Sequence, residues 1–215
     1  MRTRLVAFDM DGTLVDTVSS WAFVHHHFGE DNSEALRLFL TDRIDDSEFI
    51  RRDLALWSKH DPQLTSARLK AILDRVPLVT GAPELFDGLR RAGVTTAIVS
   101  GGIDLLADRI GRELRIDHVL ANGFEVDASG RLTGEPIVRV PIRGKGGVLR
   151  ALQERLRIPP ESTAAVGNSE IDVAMFERAA RSVAFRPEDD LVRGRAGLLL
   201  AGTDLAECLS YLIGA

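Results

Sequence analysis

Two aspartates separated by a single methionine, Asp9 and Asp11 in Phe8-Asp9-Met10-Asp11-Gly12-Thr13, follow directly on the apolar run Leu5 to Phe8. Carboxylates this close repel when both are ionised, so they call for a cation or a shared proton. Magnesium is the natural cation, a hard ion held by a few protein oxygens together with water and a substrate phosphate. Three further polar segments have the same character. Ser100-Gly101-Gly102 follows the run Thr96 to Val99, and Gly167-Asn168-Ser169-Glu170-Ile171-Asp172 follows Thr163 to Val166. Lys145 stands in Arg143-Gly144-Lys145-Gly146-Gly147, just before a helical pattern. Asp9, the backbone carbonyl of Asp11, the amide oxygen of Asn168 and Asp172 would together ligate the ion. Lys145, the Ser100 hydroxyl and the backbone N–H groups around Asp11 and Gly101 would hold a phosphate. The chain has no Gly-x4-Gly-Lys-Ser/Thr motif, so a nucleotide P-loop is unsupported.

These residues need a scaffold that brings distant segments to one edge. Leu5 to Phe8, Thr96 to Val99, Thr163 to Val166 and Ser182 to Phe185 read as buried strands. Helical patterns alternate with them: a segment opened by Pro83 and ended by Gly93, then Ile103 to Leu114, Gly147 to Leu156, Ile171 to Ala180 and Leu205 to Ile213. That alternation predicts an α/β fold, a doubly wound, mostly parallel Rossmann-like sheet. In such sheets ligands collect outside the carboxyl ends of the strands, where the polar segments lie. Asp127-Ala128-Ser129-Gly130, between extended runs within residues 119–140, predicts a small β-hairpin.

The first interval is too long for one βαβ unit, which can be completed in about 30 to 40 residues. Its surplus reads as helical. Trp21, Val24 and Phe28 share one face, and Asn32 is placed to cap a helix carrying Leu36, Phe39 and Leu40. Phe49, Ile50, Leu54 and Trp57 form a third face, and Thr65 would cap a helix bearing Leu69, Ile72, Leu73 and Val76. We expect a helical cap domain at 16–78 inserted into an α/β core domain made of 1–15 and 79–215.

Composition narrows the function classes. The 215 residues are 45% apolar and 27% charged, as in an ordinary globular protein. The 27 Lys and Arg stand against 32 Asp and Glu, a net charge of −5 without a basic stripe, so no nucleic-acid partner is expected. The longest apolar stretch, 196–201, is far short of the ~20 residues a spanning helix needs, and Leu5 to Phe8 is too short for a signal-peptide core. No membrane partner is expected, and a cytoplasmic location is. Cys208, the single cysteine, reads as a buried helical thiol. His25, His26 and His27 point about 100° apart on a helix and cannot converge on one metal.

Taken in order, the strings FDMDGTLVDT, VSGG, the lysine of RGKGG and VGNSEIDVAMF resemble the four motifs of the haloacid dehalogenase superfamily. The helical insertion after the first motif is similar to the cap of its phosphoserine-phosphatase-like branch. The resemblance covers nearly the whole chain, through SVAFRPEDDL. It implies that Asp9 is a nucleophile forming an aspartyl-phosphate, and that Asp11 is the general acid and then the base. It further implies that Gly12, Thr13, Ser100 and Gly101 contact the phosphate, that Lys145 balances its charge, and that Asp9, Asp11, Asn168 and Asp172 hold Mg2+. Two positions depart from the pattern. Asn168 replaces the usual aspartate, which removes one negative charge and gives Asp172 more weight, and Val18 stands where the branch carries a glutamate for a substrate ammonium. Arg51 matches the branch's arginine for a substrate carboxylate.

The expected activity is magnesium-dependent hydrolysis of a phosphomonoester, with a small phosphorylated metabolite as the partner and a monomer or homodimer as the assembly. Two alternatives stand beside it. One is a phosphate-binding or sensing protein with weak or lost turnover through Asn168. The other is a phosphotransferase, or a phosphonatase, whose usual cap lysine would have to be Lys59 or Lys70.

Overall fold

The computed structural model describes residues 2–214. Its strands are β1 (Leu5–Phe8), β2 (Thr95–Ile103), β3 (His118–Val126), β4 (Leu132–Ile137), β5 (Thr163–Gly167), β6 (Arg181–Phe185) and β7 (Leu198–Leu200). Among the described residues they form one seven-stranded sheet in the order β4-β3-β2-β1-β5-β6-β7. Every pairing is parallel except β3 with β4, which form the hairpin. β1 is central, with β2 on one side and β5 on the other. The strand order therefore reverses at β1, and the crevice beyond its carboxyl end is where such a sheet binds ligands.

Alternation along β1 explains the two layers. Val6 and Phe8 enter one apolar cluster, and Leu5 and Ala7 enter the other, because successive side chains point to opposite faces. The first face is covered by α5 (Ala82–Arg91), α6 (Asp104–Leu114) and α10 (Leu209–Ile213) through Leu85, Phe86, Leu106, Ile110 and Leu212. The second is covered by α7 (Lys145–Leu156), α8 (Val173–Phe176) and α9 (Asp190–Arg195) through Leu149, Leu152, Met175, Phe176 and Val192. Burial on both faces accounts for the continuous apolar runs in β1, β5 and β6.

Between β1 and α5 lie α1 (Ser20–Phe28), α2 (Ser33–Leu40), α3 (Asp46–His60) and α4 (Ser66–Leu73). Thr65 caps α4 by accepting the Arg68 N–H at 3.3 Å, as expected. Asn32 precedes α2 but makes no side-chain capping bond; its amide donates to Asp53 instead. Trp21 and Trp57 stack at 5.6 Å between ring centres. The buried apolar residues of α1, α3 and α4 belong to the same cluster as the first sheet face, so the insertion and the sheet share a continuous core. The hairpin leans on the insertion as well: Leu132 N–H donates to Leu64 O at 3.0 Å, and Ser66 N–H to Gly130 O at 2.9 Å.

Two helices are shorter than their sequence patterns. The one expected at 171–180 is a 3-10 turn at Glu170–Asp172 followed by α8, because the chain must already pair with β5 at Arg181. The one expected from Leu205 begins as a 3-10 turn, Leu205–Cys208. β7 and α9 have no counterpart in the sequence reading. No helix among the described residues is long and apolar enough to cross a membrane.

Candidate active site

A cleft of about 590 Å³ opens beyond the carboxyl ends of β1, β2 and β5, between the sheet and the inserted helices. Asp9, Asp11, Ser100, Gly101, Lys145 and Asn168 all line it. Residues up to 159 positions apart thus share one surface, as the strand ends required.

At its floor Lys145, the first residue of α7, is buried between two carboxylates. Its Nζ lies 2.8 Å from Asp9 Oδ1 and 2.7 Å from Asp172 Oδ1. Burial pushes the ammonium pKa down, but the charges of Asp172 and Asp9 outweigh it and leave the pKa above its ordinary value. The Asp9 carboxyl is pushed up to about 6, chiefly by burial, against the pull of Lys145 and with a push from Asp172.

Asp11 is held by the start of α1. Its Oδ2 accepts both the backbone N–H and the hydroxyl of Ser20, each at 2.8 Å. Its Oδ1 is shielded and has no hydrogen-bond partner among the described residues. Burial raises this carboxyl to about 7; Ser20 lowers it and Asp9 raises it. Asp11 therefore presents one anchored oxygen and one oxygen free to carry a proton near neutrality.

The glycines let these segments approach. Gly12 has φ +73°, and a Cβ there would stand 2.2 Å from Asn168 Nδ2. A Cβ on Gly102 would meet Asp11 Oδ2, Met10 Cε and Ser20 Oγ at 2.7 Å, so the end of β2 reaches the Asp9–Asp11 turn only as glycine. Ser100 Oγ accepts the Gly102 N–H at 3.2 Å while lining the cleft. Thr13 is fully buried and its hydroxyl has no partner among the described residues.

Asn168 and Asp172 differ in what they offer. The Asn168 amide donates to Glu188 Oε1 at 3.0 Å, which leaves its Oδ1 available as an oxygen ligand. Asp172 is fully buried; its Oδ1 binds Lys145, and its Oδ2 accepts the N–H groups of Asn168 at 2.9 Å and Ser169 at 3.1 Å. Both oxygens are engaged, so the structure uses Asp172 to hold the lysine and the 168–169 loop and not to face a cation, which departs from the ligand role expected of it. Arg51 is likewise not brought to the cleft. It is exposed and paired with Glu48 at 3.2 Å and Glu135 at 3.3 Å, because its place on α3 points it toward the hairpin.

The floor suits a divalent cation. Beyond the effect of burial, the charge of Asp172 pushes Asp9 up and that of Asp9 pushes Asp11 up, so three carboxylates around one ammonium leave negative charge for a cation to balance. No cluster of three His, Cys, Asp or Glu forms a cage among the described residues. The fitting donor set is mixed, as magnesium accepts: the Asp9 carboxylate, the Asp11 backbone carbonyl and the Asn168 amide oxygen.

Four lining or supporting residues were not anticipated from the sequence: Ser20, His25, Asp53 and Glu188. Glu188 lies three residues beyond the end of β6, so the rule that polar residues collect after buried strands could have found it. The others sit on helical patterns whose facing toward the cleft is set only by packing. Trp57 Nε1 donates to His25 Nδ1 at 3.0 Å, and His25 Nε2 lies 2.8 Å from Asp53 Oδ1. Because the indole can only donate, His25 accepts at Nδ1 and turns Nε2–H toward Asp53. The three histidines do not converge: His25 is buried, while His26 and His27 are exposed.

Comparison with known proteins agrees with this geometry. The family model described as haloacid dehalogenase-like hydrolase matches residues 6–177. A phosphoserine phosphatase of Methanocaldococcus jannaschii is 27% identical over 217 residues, covering 98% of each chain. One from Archaeoglobus fulgidus is 31% identical over 194 residues, covering 87% of this chain, which spans only 54% of that relative's length. A phosphoserine phosphatase solved as an analogue of its phospho-aspartyl intermediate superimposes with a TM-score of 0.81 at 25% identity, covering 99% of this chain and 100% of the other.

Proposed function

The chain belongs to the haloacid dehalogenase-like hydrolase family, in its phosphoserine-phosphatase-like branch, and from that premise we propose that it is a magnesium-dependent phosphatase of small phosphorylated metabolites. The observation that carries this reading is the meeting of Asp9, Asp11, Ser100, Lys145 and Asn168 in one cleft, with Lys145 bridging Asp9 and Asp172. We assign the helices within 16–78 as a cap over a core made of 1–15 and 79–215.

In this reading an oxygen of Asp9 attacks phosphorus and the ester P–O bond breaks, giving an aspartyl-phosphate. Asp11, whose free Oδ1 and pKa of about 7 suit a proton donor, protonates the departing alkoxide. The same oxygen, now ionised, takes a proton from water, which attacks the phosphoryl group and frees phosphate and Asp9. Ser20 keeps Asp11 oriented through both steps. Lys145 offsets the repulsion between Asp9 and an anionic phosphate, and Asp172 holds that lysine in place. Ser100 and the N–H groups around Gly101, with Gly12 and Thr13 shaping the first loop, position the phosphoryl oxygens. Magnesium, held by Asp9, the Asp11 carbonyl and Asn168 Oδ1, would neutralise charge on the transferring phosphoryl group when bound.

Asp9→Asn is the decisive variant, because it keeps the shape and removes the nucleophile. With 4-nitrophenyl phosphate and magnesium, phosphate release is expected to fall by at least about 10³-fold while the circular-dichroism spectrum stays unchanged. Excess EDTA is expected to abolish release by the unaltered protein. Turnover that survives either treatment would exclude the mechanism.

A further inference from the structure

Asn168 and Glu188 meet across neighbouring strands of the sheet. Asn168 follows β5 directly, Glu188 lies three residues beyond β6, and the two strands run parallel with Gly167 opposite Ala184. Their main chains are joined as well, since the Glu188 N–H donates to the Asn168 carbonyl at 2.8 Å. The side chains complete the pair, with Asn168 Nδ2 donating to Glu188 Oε1 at 3.0 Å. Beside the amide lies Gly12, where a Cβ would stand 2.2 Å from Nδ2, so Asn168 packs against the turn that carries Asp9 and Asp11.

A side-chain amide has two ends of nearly equal shape, and only its oxygen can ligate a cation. A carboxylate settles which end faces where, because it accepts and never donates: its partner must be the NH2 group, and Oδ1 is left for the other side. Charge gives the pair a second purpose. Of the three oxygens that fit magnesium, those of the Asp9 carboxylate, the Asp11 carbonyl and the Asn168 amide, only the first carries a charge, and Asp9 already pairs with Lys145. Affinity for a hard divalent ion follows the charge its surroundings supply. Glu188 lines the same cleft, and the cations around it are engaged elsewhere. Lys145, the only lysine or arginine among the described lining residues, is taken by Asp9 and Asp172, while Arg186 pairs with Asp16 at 3.1 Å and Arg193 with Asp190 at 3.9 Å.

Building on the magnesium-dependent reading above, we propose that Glu188 is the residue that makes Asn168 a metal ligand. It holds the amide so that Oδ1 is the end offered to the cation, and its carboxylate supplies, one residue removed, the negative charge that an amide lacks. Glu188 is thus a positioning residue that acts through Asn168. A carboxylate at 168 is then no simple gain: Asn168→Asp would set two like charges across the 3.0 Å now spanned by the hydrogen bond, where they repel. Combining Asn168→Asp with Glu188→Gln exchanges donor and acceptor, and keeps both the hydrogen bond and the total charge.

Calorimetric titration of the metal-free protein with magnesium chloride, in the absence of substrate, reads the affinity directly. Glu188→Gln, which keeps an acceptor for the amide but drops the charge, is expected to raise Kd about tenfold, and Glu188→Ala, which drops both, to raise it further. Asn168→Asp is expected to tighten binding at least about tenfold more in the Glu188→Gln background than beside the native glutamate. General damage to the fold does not imitate that coupling, because it would weaken the double variant along with the single ones. Unchanged affinity in both Glu188 variants, or an equal effect of Asn168→Asp in the two backgrounds, overturns the inference; magnesium-dependent release from 4-nitrophenyl phosphate by the unaltered protein then leaves the phosphatase reading standing. An unaltered protein that neither binds magnesium nor releases phosphate overturns both.

Discussion

Asp11 shows how one residue's surroundings set both chemistry and stability. Its carboxyl titrates near 3.8 in an unfolded chain and near 7 in the folded one, because burial disfavours the charged form more than Ser20 favours it. The folded state therefore holds a proton that the unfolded state releases, and stability falls as pH rises from about 4 to about 7. By pH 8 the cost is on the order of a few kcal/mol for the metal-free protein. Asp11→Asn removes that ionisation. In EDTA its melting temperature is expected to exceed that of the unaltered protein at pH 8, with the gain shrinking toward pH 4, while turnover is lost. A pH series of thermal melts checks this; an equal shift at all pH values would point to packing. The residue scale is also where sequence reading reached furthest. Asp9, Asp11, Ser100, Lys145 and Asn168 are recognisable because each follows a buried strand or opens a helix, and the sheet carries such positions to one edge. Asp53 was not legible: on α3 it is one charged residue among several, and its inward direction depends on how the helix is rotated.

At the scale of elements, the contact between β1, β2 and α1 is decided by small atoms. The end of β2 enters the Asp9–Asp11 turn through Gly102, and the hydroxyl of Ser20 accepts the Ile103 N–H at 3.0 Å while donating to Asp11. Gly102→Ala would place a methyl 2.7 Å from Asp11 Oδ2 and Ser20 Oγ, which must then separate. The sheet is expected to remain folded while kcat/KM for 4-nitrophenyl phosphate drops about 10²-fold, the usual cost of misplacing a catalytic group by about an ångström. Ser182 to Phe185 and Thr163 to Val166 match β6 and β5 closely because buried parallel strands are continuous apolar runs. β7 was missed since Leu198–Leu200 is only three residues long and adjoins a polar helix, α9, too short to show a periodic face.

For the molecule as a whole, the question is how the inserted helices are tied to the sheet. Besides the shared core, the segment that delivers Lys145 is gripped by the insertion. Ile142 N–H donates to Asp46 Oδ1 at 2.7 Å, and Arg143 reaches Asp42 and the Leu40 carbonyl. Asp46→Ala breaks the first of these at the start of α3, away from the carboxylates of the floor. We expect KM for 4-nitrophenyl phosphate to rise about three- to tenfold with a smaller change in kcat, since such a seam governs closure more than chemistry. Steady-state kinetics check it, and a fall in kcat alone would place Asp46 in the chemical step. Local order was largely written into the chain: periodicity marks helices and strands, and polar residues after strands mark the active edge, because both follow from neighbours in sequence and from general sheet topology. Only the tertiary structure decided that Arg51 turns away to Glu48 and Glu135, that Asp172 serves Lys145, and that Asp53 is buried against His25 and Asn32. Those outcomes depend on the rotation of α3 and the path of the 168–172 loop, which arise from contacts between residues far apart in the chain and leave no periodic trace within it.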